Sequence, residues 1–222
     1  MITLLTGIIN GVPERWIYCG FGLTVMLLLS ACSPSFLAQR SPPVSSYLLE
    51  WNDAVTAPAN THDVGRPSIQ LSPITAAAGF GGTQIIYIRK PFQLEHYAFH
   101  QWVEPPTRML EPLLTRMLEE SGLFSSAVGP DTAVRTDLQL DIELLYLQQV
   151  FADETSEVQL AIRVGLVNVD RTQLIAGQRF SIIEPVTEPT PYGSVQAANR
   201  ATVRFLTALR AFLAQHRMES ER

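Results

Sequence analysis

Several side chains of this 222-residue chain have the chemistry of catalytic or metal-binding groups, but their spacing does not fit such a site. His96 and His100 are four residues apart in a predicted strand, which would separate them by about 13 Å. Ser194 follows a glycine but lacks the second glycine of a nucleophile elbow. Three acids alternate with apolar residues, as on the solvated face of a strand: Asp137, Asp141 and Glu143. We therefore predict no enzyme, no cofactor and no bound metal.

The residues before Cys32 indicate a specific chemical role for its thiol. It ends the stretch Leu29-Ser30-Ala31-Cys32, which resembles the lipobox of bacterial lipoproteins. The small side chains before it would let the chain enter a peptidase cleft, and its thiol is a nucleophile that can carry a diacylglycerol. Cleavage before Cys32 would free its amine for a third acyl chain. Two or three chains hold a protein at a membrane, whereas one chain binds only marginally.

The apolar run before Cys32 is short for a membrane span. Residues 16–31 carry no charge and number 16, whereas a helix needs about 20 apolar residues to cross a bilayer core. We predict a lipoprotein signal peptide over residues 1–31. An ordinary signal with a chance cysteine and a retained anchor helix are the two alternatives. An aspartate directly after the lipidated cysteine would resemble an inner-membrane retention mark. This chain has Ser33 at that position, which favours the outer membrane, on its periplasmic face.

The remainder of the chain divides into a tether and one domain. Residues 32–45 are rich in Ser and Pro and predict an extended, lipidated tether. Residues 46–217 have the length of one ordinary domain, and residues 218–222 form a short tail. The net charge of −5 at pH 7 argues against nucleic acid as a partner, because such partners usually need a basic patch.

Apolar runs, several of them alternating and one rich in β-branched residues, predict seven strands. Four lie before the first helix, over residues 46–51, 68–75, 84–90 and 92–100, and the last two should be antiparallel neighbours. Three more follow over residues 138–146, 158–166 and 174–182, with short links that predict an antiparallel meander. Tyr146 and Leu174 fall on the apolar faces of these three runs.

Two helices complete the domain. Residues 105–121 have apolar residues at helical spacing, and Gly122 is the expected stop. Pro112 removes one hydrogen bond, so we expect a loose first turn before it. Residues 193–216 carry an apolar stripe that should pack on the sheet: Ala198, Thr202, Phe205, Leu206, Leu209, Phe212 and Leu213. The order of elements predicts an α/β layered domain with a mixed, largely antiparallel sheet.

The stretch 95–110, between the fourth strand and the first helix, is rich in aromatic residues and prolines. Trp and Tyr are favoured at the energetic centres of interfaces, which makes this corner a candidate partner surface. The alternative is a structural corner, in which Trp102 closes the sheet and the prolines begin the helix. Both interpretations can hold together. The candidate residues are Tyr97, Trp102, Glu104, Pro105 and Pro106.

Residues 97–128, which begin within this stretch, resemble the signature of the ABC-type transport auxiliary lipoprotein component family. Members typically have a tyrosine-rich strand, a W-x-E-P-P-x-x-M-L corner, a helix and a further short strand. The matching positions are Trp102, Glu104, Pro105, Pro106, Met109, Leu110, Gly122, Phe124 and Val128. The lipobox at Cys32 and the amphipathic C-terminal helix agree with the resemblance, whereas Pro112 departs from it.

The resemblance implies a single three-layer fold similar to anticodon-binding domains and a non-enzymatic accessory role in an MCE-type ABC system, such as the paraquat-inducible one. The implied cargo is phospholipids or similar hydrophobic compounds. The implied partners are an MCE-domain periplasmic protein with an inner-membrane permease and ATPase, the outer membrane through a palmitate-type anchor, and other copies of the chain in a ring. The alternatives are a structural or assembly lipoprotein with no transport partner, and a tethered hydrolase.

Overall fold

The computed structural model of the chain describes residues 42–51, 65–153, 155–170 and 172–216. The predicted signal peptide, Cys32, most of the tether, residues 52–64 and the C-terminal tail lie outside the described residues. Every strand and helix described below belongs to one compact unit, Pro43–Arg222.

The longest strand, β7 (Leu138–Ala152), is the centre of a mixed sheet. One of its edges pairs with β8 (Thr155–Asn168) along the whole length of both strands, and β8 pairs in turn with β9 (Gln173–Pro185). Both pairings are antiparallel, so the predicted meander is confirmed. All three strands extend beyond the predicted bounds.

The other edge of β7 pairs with three short strands in succession, and all three pairings are parallel. These are β2 (Ile69–Leu71), β3 (Thr75–Ala76) and β4 (Gln84–Ile88). The predicted strand over residues 68–75 is therefore two strands, separated at Pro73, which has no N–H to donate to a ladder.

Three further strands extend the sheet outward. β5 (Glu95–Trp102) pairs antiparallel with β4, as predicted, whereas β1 (Ser45–Tyr47) pairs parallel with β5 and β6 (Ala127–Val128) pairs parallel with β2. The sheet is mixed as expected, but its antiparallel pairings are confined to the meander and the β4–β5 hairpin among the described strands. The expectation of a largely antiparallel sheet is not confirmed.

Helix α1 (Pro106–Glu120) has a proline at its first position, where the missing N–H costs little. The Pro105 carbonyl oxygen accepts from the backbone N–H groups of Arg108 and Met109, at 2.9 and 3.2 Å. The helix continues through Pro112, so the prediction of a loose first turn is wrong. Buried apolar side chains before the proline hold this turn on the core and offset the lost hydrogen bond. Gly122 follows the helix at φ 66, which confirms it as the stop.

Helix α2 (Pro191–His216) buries its entire predicted stripe. The buried hydrophobic side chains of α1 and α2 join one cluster with Leu138, Leu140 and Leu144, which lie on one face of β7. The opposite face of β7 stays partly exposed.

The α/β class, the single domain, the mixed sheet and the two main helices are confirmed. The three layers and the likeness to anticodon-binding domains, which the resemblance implied, stay predictions.

Bulges decide which side chains of the meander reach the core. The pairing of β7 with β8 shifts between Leu144 and Tyr146, and after this shift Leu147 and Gln149 are buried. One extra residue reverses the alternation of a strand, so Tyr146 lies on the outer face instead of the predicted apolar face. A second shift lies between Leu166 and Val167, opposite the start of β9. Leu174 there is 60% exposed, and its predicted burial is also wrong.

We predict that Gly193→Ala destabilises the domain, although alanine is favoured over glycine within helices by about 1 kcal/mol. A Cβ at Gly193 would lie 2.1 Å from the Glu188 carbonyl oxygen, and the Gly193 N–H donates to Thr190 Oγ1 at 3.0 Å. Because that clash is with backbone, we expect the unfolding free energy in urea to fall by about 1–3 kcal/mol. Gly65→Ala is the control, since a Cβ there meets nothing within 4 Å. An unchanged midpoint for Gly193→Ala would contradict this packing.

Candidate functional site

Trp102, the most conspicuous residue of the predicted corner, is a core residue. Its side chain is 2% exposed, and its backbone N–H donates to the Thr83 carbonyl oxygen at 2.7 Å. The chain turns outward at the next position, where Val103 is 52% exposed and its N–H donates to the Tyr47 carbonyl oxygen at 2.7 Å. A side chain so buried presents no surface to a partner. The burial of Trp102 agrees with the structural alternative, a corner in which Trp102 closes the sheet.

The rest of the motif divides between helix start and surface. Pro106 is buried at the first position of α1, and half-buried Pro105 supplies the carbonyl that accepts the first N–H groups of the helix. Glu104 is exposed beside Val103. Of the candidates in the motif after Tyr97, Glu104 is thus the one whose side chain a partner could reach.

Tyr97 belongs to a buried polar network. Its hydroxyl donates to Gln149 Oε1 at 2.7 Å, and Gln149, which is 0% exposed, donates from Nε2 to Ser156 Oγ at 2.9 Å. The Tyr97 ring packs against Tyr87, with 4.6 Å between centroids. Burial, and then the neighbouring Tyr87, raise the pKa of Tyr97 to about 12. The hydroxyl therefore stays protonated and available to satisfy the buried Gln149 amide.

His96 and His100 are not brought together. The His100 ring stacks on Tyr47 at 5.9 Å between centroids, and its Nδ1 is hydrogen-bonded to the Tyr47 hydroxyl at 3.0 Å. His96 is exposed on the same strand. Throughout the described residues, no three His, Cys, Asp or Glu side chains converge as ligands for a metal ion. Cys32 lies outside the described residues.

The acids of β7 and Ser194 have structural partners. Asp137 Oδ2 accepts from the backbone N–H and the hydroxyl of Ser68, both at 2.7 Å, and these bonds lower the pKa of Asp137 below its ordinary value. Asp141 accepts from a serine hydroxyl at 2.6 Å, and Glu143 forms an ion pair across the strands. Ser194 is buried in the first turn of α2.

The outer face of the sheet carries a hollow of about 610 Å³ that sequence reasoning missed. Gly165 and Gly177 face each other across β8 and β9, and the absence of side chains there opens the hollow. Its charged groups already have partners: Arg163 pairs with Glu143, and the Arg179 guanidinium lies 5.7 Å from the centroid of a tyrosine ring. The signal in the sequence was one glycine in each of two adjacent strands, but only the register shows that they meet.

The family model described as ABC-type transport auxiliary lipoprotein component matches residues 47–209, which is more than half of the chain. A crystal structure of a Xanthomonas campestris protein assigned to the domain family DUF330 is similar, with TM-score 0.64 and 18% identity, covering 81% of this chain and 98% of that one. A solved structure of an uncharacterised protein has TM-score 0.61 and 14% identity, covering 77% and 99%. At these identities the likeness establishes the fold. No curated protein matches the chain.

We predict that Trp102→Ala lowers the unfolding free energy by about 3–5 kcal/mol, because it leaves a large cavity in the core. Urea denaturation followed by circular dichroism would measure this change. Val103→Ala is the neighbouring control, and since Val103 is 52% exposed we expect a change within about 0.5 kcal/mol. Equal stability of the two variants would contradict the burial of Trp102.

Proposed function

We propose that this chain, which belongs to the ABC-type transport auxiliary lipoprotein component family, is the lipid-anchored accessory subunit of an MCE-type ABC system for phospholipids or similar hydrophobic compounds. The observation that carries the proposal is the family match over residues 47–209, directly downstream of a lipobox cysteine at position 32. In this role the chain is not an enzyme. The permease and ATPase at the inner membrane supply the energy for transport.

The anchor is Cys32 at the periplasmic face of the outer membrane. Neither helix of the described residues combines the length and the apolar character that a membrane crossing requires. The 13 peptide steps from Cys32 to Ser45 extend to at most about 45 Å, so the domain can stand away from the lipid headgroups. Two or three acyl chains on Cys32 provide a stable attachment.

The contact with the MCE-domain partner uses the exposed part of the corner. Trp102 and Pro106 are buried, so the side chains that a partner could touch here are those of Glu104 and Val103. Tyr97, Trp102 and the two prolines act indirectly, because they fix the position from which these two side chains project. Assembly of several copies into a ring is part of the same proposal.

We expect the full-length, tagged protein to co-purify from detergent-solubilised membranes with an MCE-domain protein, its permease and its ATPase, as identified by mass spectrometry. Glu104→Arg reverses an exposed charge at the corner and should reduce this recovery by roughly tenfold. Glu119→Arg makes the same change at an exposed position of α1 and should leave recovery unchanged. If folded protein brings down porins or assembly factors without an MCE-domain protein, the structural-lipoprotein alternative replaces the transport function.

We also expect Cys32→Ser to abolish incorporation of a palmitate label and release the protein from the membrane fraction, because the acyl chains are the proposed attachment. Cys19→Ser is the matched control: Cys19 lies within the predicted signal peptide, so labelling should persist. Labelling of the Cys32→Ser protein would show that the anchor lies elsewhere.

A further inference from the structure

The turn between β4 and β5 exposes a large aromatic side chain in an unusual conformation. All residues from Arg89 to Leu94 are exposed, and Phe92 is fully so, at 105%. Phe92 has φ 69, a left-handed conformation that bulky residues rarely adopt. The turn is held by a hydrogen bond from the Gln93 N–H to the Lys90 carbonyl oxygen at 3.2 Å. At its base, Arg89 forms an ion pair with Glu95. The hydrogen bond and the ion pair therefore stabilise a turn from which the Phe92 side chain projects into solvent.

The side chains of this turn combine apolar surface with positive charge. Phe92 and Leu94, which is 47% exposed, flank Gln93, and Lys90 is the single lysine of the chain. Exposed aromatic and aliphatic side chains beside a lysine are the composition with which surface segments enter the lipid interface. Asp153, in the β7–β8 turn at the same end of the sheet, is exposed. We therefore expect apolar insertion, rather than charge, to dominate a membrane contact.

The chain enters the domain from the side of this turn. β1 runs parallel to β5, and β5 starts at the turn, so Ser45 is at the end of β1 that is nearer to the turn. Ser45 lies opposite His100. Because His100 is eight residues after Phe92, these two residues are at most about 29 Å apart along the chain. The 13 peptide steps from Cys32 to Ser45 reach at most about 45 Å. An anchor on Cys32 can therefore lie in the same plane as Phe92.

We propose that the β4–β5 turn, Lys90 to Leu94, is a second membrane contact that inserts Phe92 into the lipid interface beside the acyl anchor. This inference rests on the proposed lipid attachment at Cys32. Once the anchor holds the domain at the bilayer, the local concentration of lipid is high and a weak contact suffices. The contact turns one end of the sheet toward the membrane. The other end, with the β8–β9 turn, then faces the periplasm.

The test uses the full-length lipidated protein in phosphatidylcholine vesicles that contain brominated lipid, which quenches tryptophan fluorescence within the bilayer. Phe92→Trp places the probe on the turn, and Gln93→Trp provides a second position there. Leu174→Trp is the control, because Leu174 is 60% exposed at the opposite end of the sheet. The emission of the wild type, whose Trp51 and Trp102 are buried, is subtracted from each spectrum. Flotation of the vesicles measures attachment separately.

We expect Phe92→Trp to lose about half of its emission in the brominated vesicles and Leu174→Trp to lose none. If both turn variants float with the vesicles but neither is quenched, the second contact does not exist, and lipid anchoring stands. Equal quenching at positions 92 and 174 would show a domain without fixed orientation and would also overturn the proposal. If the wild type does not float, the anchor itself fails, and this inference fails with it.

Discussion

Hydrogen bonding along both edges of β7 fixes the position of the other strands. One edge of this 15-residue strand is paired with β8, and the other pairs in turn with β2, β3 and β4, which have two to five residues each. Strands of that length have little stability by themselves. Their place depends on the backbone groups that β7 offers. The register of Ile86 with Gln148 therefore also sets where the β4–β5 hairpin ends, because the hairpin continues directly from β4.

The bulge in β7 connects this strand to the family motif. Without the shift between Leu144 and Tyr146, Gln149 would point to the outer face, and its amide would be free to meet water. With the shift, the Gln149 side chain is buried and needs hydrogen-bond partners, which Tyr97 and Ser156 supply. Tyr97 thereby links β5 to β7 through side chains as well as through β4. The tyrosine of the corner is a structural residue for this reason.

Strong periodicity made much of the fold predictable. The meander and the stripe of α2 follow from alternation and helical spacing over many residues, and the ends of α1 follow from Pro106 and Gly122. Bulges were not predictable, because an extra residue in one strand is defined only by its pairing with the next strand. For this reason the sequence predicted the wrong face for Tyr146 and Leu174. The apolar runs that contain β2, β3 and β4 were recognised as strands, but their parallel pairing with β7 was not predictable, because the partner of a strand is set by contacts distant in sequence. Trp102 could not be assigned from sequence alone, since cores and interfaces favour the same aromatic residues.

The proposed role creates a need for orientation that a lipid anchor does not meet. An acyl anchor at Cys32 limits how far the domain can move from the membrane, but it does not by itself set the orientation of the domain. An accessory subunit must present the exposed corner at Glu104 and Val103 toward its partner, so free rotation would reduce the fraction of productive encounters. The turn with Phe92 and the corner lie at opposite ends of the same strand, β5. A contact at the first end would therefore direct the second end away from the bilayer, toward the space in which a periplasmic partner approaches.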